Sequence, residues 1–106
     1  MKRGEIWTLQ DKHYASKARP VVVIQSDKHD SFDSVILCLF TSFESGDIST
    51  RVRVEPSAEN GLQKDSYVMT DKIVTVDKSI LEKRIGKLSD KDMIAVSEQL
   101  KIILDL

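Results

Sequence analysis

Two short runs without a polar residue, Val21–Ile24 (VVVI) and Val35–Phe40 (VILCLF), constrain the fold more than any other feature of the chain. Successive side chains of a strand point to opposite faces, so an unbroken apolar run needs cover on both sides. Both runs are too short for a buried helix, are mostly aliphatic, and are separated by the turn-rich SDKHDSFD. They predict central strands, Arg19–Gln25 and Ser34–Ser42, buried on both faces.

Shorter patterns flank them. Glu5–Leu9 (EIWTL) places Ile6 and Thr8 on one face and Trp7 and Leu9 on the other. Arg51–Val54 (RVRV) alternates base and valine, as in a strand with one wet face. After the turn residues of EPSAENG come Ser66–Thr70 (SYVMT) and apolar patches around IVTV and IGKL. The period then changes. Met93, Val96, Leu100 and Ile103 make a helical stripe, with Ser89 placed as N-cap and Asp92 spaced for a capping box. The expectation is a mainly β protein, a small barrel closed off by one C-terminal helix.

The 106 residues suffice for one domain, spanning 1–106. Hydrophobic residues at 41% and charged residues at 31% exclude a disordered tail. No apolar stretch approaches the roughly 18 residues that span a bilayer. MKRGEIW does not lead into a signal-peptide apolar region, so no membrane association and a cytoplasmic location are expected. The lone Cys38 lies within VILCLF and reads as a small buried hydrophobe, with no intrachain disulfide or zinc site open to it. His13 and His29 stand sixteen residues apart in loops, with no ligand-like spacing, so no metal or other cofactor is expected. Net charge is −1, but residues 1–19 carry five bases against two acids (+3) and residues 31–76 four against seven (−3). Any polyanion chemistry therefore belongs near the N-terminal end.

Arg19 opens a strand directly before Pro20. Proline is tolerated at a strand's first residue and holds the preceding residue extended. A guanidinium on so rigid a mount offers phosphate oxygens a planar fork of donors. An edge-strand charge that discourages aggregation is the other reading open on the residues alone.

The order Arg3-Gly-Glu-Ile-Trp7, Arg19-Pro-Val-Val-Val-Ile24, Thr41-Ser42 and Val68–Asp77 (VMTDKIVTVD) resembles the MazF/PemK/Kid family of toxin ribonucleases, essentially end to end. The resemblance implies an SH3-like or CcdB-like barrel working as a homodimer. It implies metal-independent, sequence-specific cleavage of single-stranded RNA, with Arg19 and Thr41 catalytic. It also implies RNA contacts from His13, Lys17, Ser42 and Asp71. The partner it implies is a small acidic antitoxin with a disordered C-terminal segment that blocks the RNA groove. Two departures from the family pattern stand out: Lys72 replaces a glutamine, and Met69 stands where some members have an arginine. The loop QDKHYASKA before Arg19 is also shorter than usual. Two rival functions share the fold. A CcdB-like gyrase poison would need a C-terminal tryptophan, whereas this chain ends KIILDL with Trp7 as its only tryptophan. A non-catalytic SH3-like interaction module would leave Arg19 and Thr41 purely architectural.

Overall fold

In a computed structural model, which describes residues 1–9, 18–43 and 48–106, the two apolar runs pair with each other near the middle of one sheet. The strands are β1 (Glu5–Leu9), β2 (Arg19–Val23), β3 (Ser34–Thr41), β4 (Val52–Val54), β5 (Ser66–Asp77) and β6 (Leu81–Lys87), followed by helix α1 (Asp90–Leu104). Their order is β4-β5-β3-β2-β1-β6, and every neighbouring pair is antiparallel. The mainly β fold with a C-terminal helix expected from periodicity is the fold found.

Both faces of the central strands are covered, as the apolar runs require. Ile6, Val22, Cys38, Phe40, Val68 and Val54 share one core with Val96 and Leu100 of α1. The alternate residues Leu9, Val21, Val23, Val35, Leu37, Val76 and Leu81 form a second core on the opposite face. β2 ends two residues earlier than the apolar pattern suggests. Ile24 N–H still donates to the Ile36 carbonyl at 3.1 Å, and the Gln25 side chain then accepts from Ile36 N–H at 3.0 Å in place of another backbone rung.

β5 is one strand of 12 residues where the sequence suggested two separate pieces. Its register against β3 jumps from Cys38↔Ile73 to Leu39↔Met69, leaving Thr70, Asp71 and Lys72 in a bulge. Val68 and Ile73 are five apart and would face opposite sides of a regular strand. The bulge resets the phase, so both pack in the helix-side core.

The edge strands β4 and β6 do not pair. The segment after β4 bridges them instead, with Lys87 N–H donating to the Glu59 carbonyl at 3.0 Å. Buried Asn60 holds that segment in shape: its side-chain oxygen accepts from Ser57 and Leu62 N–H, and its amide donates to the Glu55 carbonyl at 2.8 Å. Two glycines permit the close approach. A Cβ on Gly61 would overlap the Ile85 carbonyl, and one on Gly86 would overlap the Asn60 and Glu59 backbone. Gly61 also sits at φ +69°, where other residues are strained. The sheet is thus not closed by a strand ladder; its two edges are bridged by backbone contact through the segment after β4.

Ser89 caps α1 by accepting from Asp92 N–H at 3.1 Å. Among the described residues Asp92 makes no return bond to Ser89, its side chain being one methylene shorter than the glutamate of a full capping box. Val96 and Leu100 are buried as the stripe predicted, but Ile103 is 42% exposed, because the last turn from Lys101 onward is open to solvent. Among the described residues no helix is long and apolar enough to cross a membrane.

The seam makes a direct prediction. Gly86→Ala should cost about 2 kcal/mol or more in denaturant unfolding, since backbone rather than a flexible side chain must move. Lys83→Ala, an exposed change on the same strand, should stay within about 0.5 kcal/mol.

Candidate active site

Register decides which side chains meet. The β2–β3 ladder pairs Val21 with Leu39 and Val22 with Cys38. Continued by two residues, the same register sets Arg19 level with Thr41. Thr41 in turn pairs with Tyr67, and Tyr67 with Arg53. Thr41, Tyr67 and Arg53 therefore form a cross-strand row, alternating with the buried Phe40, Val68 and Val54, and Arg19 stands beside its Thr41 end in a shared cleft. The missing N–H of Pro20 costs β3 no hydrogen bond, because the β2–β3 pairing begins only at Val21.

Arg19, Thr41 and Ser42 line a cleft of about 320 Å³ together with Ala18, Pro20, Phe40, Lys64 and Ser66. Two cations and three hydroxyls face it, and no carboxylate or imidazole stands among the described residues of its wall. Phe43 N–H donates to Thr41 Oγ1 at 3.1 Å. An oxygen engaged as acceptor in this way keeps its own proton to donate. Ser66 is 5% exposed, and its hydroxyl donates to the Lys64 carbonyl at 3.0 Å, fixing the backbone at the cleft's rim.

The other arginines are committed elsewhere. Arg3 donates to the Ile24 carbonyl and to Ser97 Oγ. Arg51 lies 3.6 Å from Asp71, and Arg53 pairs with Asp65 at 2.6 Å and Glu55 at 3.6 Å. Arg84 Nε donates to Glu5 at 3.0 Å, tying β6 to β1. Partial burial works against the Glu5 carboxylate, yet hydrogen bonds from Lys2 N–H, the Trp7 indole and Arg84 outweigh it and hold its pKa below the usual range. Among the described residues, Arg19 is the arginine with neither a carboxylate nor a carbonyl partner.

Of the residues singled out from the sequence, Arg19, Thr41 and Ser42 are brought together. His13 and Lys17 lie outside the described residues. Asp71 does not line the cleft; it sits in the β5 bulge between Arg51, whose buried Nε has no hydrogen bond, and Lys72 Nζ at 3.9 Å. Lys64 and Ser66 were not anticipated. The only sign of them was their place at the start of a strand, and that becomes informative once β5 is known to lie beside β3.

The model of the family described as PemK-like, MazF-like toxin of type II toxin-antitoxin system matches residues 2–104. The chain is 36% identical over 107 residues to a probable endoribonuclease MazF of Mycolicibacterium smegmatis, covering 100% of this chain and 98% of that protein. It is 31% identical over 112 residues to endoribonuclease EndoA of Bacillus subtilis, covering 100% and 96%. Among solved structures, the Mycobacterium tuberculosis toxin MazF-mt6 is similar with a TM-score of 0.81 at 28% identity, covering 96% of this chain and 97% of that one. A mycobacterial endoribonuclease solved in complex with its cognate antitoxin shares the fold with a TM-score of 0.85 at 24% identity, covering 100% and 96%.

Cys38 has no part in the cleft. It is fully buried, and burial first, then the nearby Asp71 carboxylate, push its thiol up to about 12, with Arg3 pulling only weakly the other way. The reactive thiolate is therefore suppressed throughout the neutral range. Native protein at pH 8 should show no titratable thiol toward an aromatic disulfide reagent, and one equivalent after unfolding in guanidinium.

Proposed function

The chain belongs to the PemK-like, MazF-like toxins of type II toxin–antitoxin systems, and we propose that this endoribonuclease cleaves single-stranded RNA without a metal ion, at the cleft holding Arg19 and Thr41. The observation that carries this reading is the placement in one cleft of a guanidinium that pairs with no acid among the described residues and a hydroxyl whose oxygen already accepts from Phe43 N–H. In the proposed reaction the ribose 2′-oxygen attacks the adjacent phosphorus and the bond from phosphorus to the 5′-oxygen breaks. The 2′-hydroxyl loses a proton and the leaving 5′-oxygen gains one. The substrate supplies its own nucleophile, so the protein's task is to stabilise the charge that builds on the non-bridging phosphate oxygens. Fixed donors facing such charge are worth roughly 3–4 kcal/mol each in other enzymes. Arg19 supplies the forked cation and Thr41 a hydroxyl donor, while Ser42 lies beside them to bind the strand. His13, Lys17 and Asp71 are proposed as further RNA contacts, and the reading puts the protein's action in the cytoplasm.

The partners follow from the same reading. We propose a homodimer formed through the apolar groove of about 730 Å³ between β3 and α1, where Phe32 is 56%, Ile36 38%, Leu104 50% and Leu106 88% exposed. Exposed apolar patches of this kind mark interaction surfaces. A cognate antitoxin, small and acidic with a disordered C-terminal segment, would silence the enzyme by covering the cleft. The gyrase-poison and interaction-module readings find less support, since Trp7 lies in β1 rather than at the C-terminus and the cleft is equipped for phosphate.

Arg19→Ala should lower the cleavage rate about a hundredfold or more, with the unfolding midpoint unchanged. Arg19→Lys should not restore it, because an ammonium lacks the planar fork. Thr41→Val should impair cleavage too. Products should carry a 2′,3′-cyclic phosphate or 3′-phosphate and a 5′-hydroxyl, and activity should survive EDTA. Wild-type cleavage by Arg19→Ala would place the chemistry elsewhere.

Sedimentation at micromolar concentration should give twice the 12.0 kDa chain mass, and Ile36→Asp should reduce it to the monomer. A 12 kDa species for the wild type would remove the dimer. An equimolar cognate antitoxin should abolish cleavage; undiminished cutting in its presence would remove that partner alone.

A further inference from the structure

We propose that Lys64 grips the phosphate next to the scissile one, and so sets the register of the RNA strand against Arg19 and Thr41; this rests on the reading of the cleft as the site of RNA cleavage. Lys64 lines the same cleft from β5's approach, while Arg19 enters from β2 and Thr41 and Ser42 from the end of β3. The cleft, at about 320 Å³, has the size of a small ligand site and is not confined to one phosphate group. A strand whose scissile phosphate lies at Arg19 and Thr41 carries a neighbouring phosphate toward another wall, and among the described residues the cation there is Lys64.

Three features prepare Lys64 for this. Its backbone is anchored, because the buried Ser66 hydroxyl donates to its carbonyl at 3.0 Å. The carboxylate next to it in sequence, Asp65, is turned to Arg53 at 2.6 Å, and among the described residues no acid pairs with Lys64. Its side chain is exposed, so it supports no part of either core. An ammonium on a flexible stem is a point charge that neutralises a phosphate without demanding one geometry. That suits a contact which positions the strand, whereas the reacting phosphate is served by the rigid fork of Arg19. Lys64 is accordingly a positioning residue, indifferent to base identity.

The test measures binding and cleavage together. An uncleavable oligonucleotide with a single 2′-deoxy substitution at the cut site is titrated for binding, and the matching all-ribose RNA is used for cleavage, with wild type, Lys64→Gln and Lys64→Arg over a range of salt concentrations. Each phosphate contact on a single strand contributes about 0.7 to the slope of log K against log salt. Lys64→Gln should flatten the slope by about that amount, raise KM and leave kcat within about twofold, while Lys64→Arg restores the slope. An unchanged slope in Lys64→Gln overturns the assignment. So does a changed set of cleavage sites, which would make Lys64 a reader of base edges. Arg19→Ala in the same series separates the two layers of the argument. If it is inactive while Lys64→Gln is unaltered, only the Lys64 assignment fails; if it cuts at the wild-type rate, the reading of the cleft fails with it.

Discussion

The pairing of β2 with β3 is the constraint on which the rest of the molecule depends. Val21, Val22 and Val23 are at most 1% exposed, with alternate residues in two different cores. Each buried valine contributes on the order of 1.5–3 kcal/mol relative to exposure. A slip by one residue would exchange the two faces along the whole strand and carry Arg19 off the face it shares with Thr41. A register held by core packing thereby sets where Arg19 stands at the strand's outer end. The backbone of Arg19 is held by the same strand, paired with Leu9 of β1.

Two departures from regular strand geometry let one sheet enclose its cores. The bulge at Thr70–Lys72 rephases β5 so that Val68 before it and Ile73 after it both reach the helix-side core while the strand stays paired with β3. The glycine seam brings the segment after β4 against β6 without a strand ladder. The seam lies where the two edges of the sheet meet, away from the central strands, whereas the bulge faces β3 between Cys38 and Leu39.

Much of this was legible in the residues. The runs VVVI and VILCLF announced strands covered on both faces, the 3-4-3 spacing of Met93, Val96, Leu100 and Ile103 announced the helix, and Arg19 before Pro20 announced the start of a strand. What escaped depends on contacts between segments far apart in the chain. Polar Thr70-Asp71-Lys72 looks like a turn in a linear reading, and becomes a bulge only because β3 lies alongside to hold both halves. Gly61 and Gly86 look like ordinary turn and strand glycines until their backbones are seen to touch across the seam. Lys64 lies 23 positions beyond Thr41 in sequence, and reaches the same cleft only through the β3–β5 register. Ile103 keeps the helical period of the stripe, but the period says nothing about where the sheet beneath it ends.

The central claim is that Arg19 and Thr41 act on one phosphate as a unit because the β2–β3 register sets them side by side. A double-mutant cycle on kcat/KM tests it most directly, comparing Arg19→Ala, Thr41→Val and the combined variant on one RNA. Groups that stabilise the same transition-state charge lose activity non-additively. The combined variant should therefore be scarcely slower than Arg19→Ala alone. Losses that multiply, so that the two free-energy changes simply add, would show that the residues act at separate places and would contradict the account.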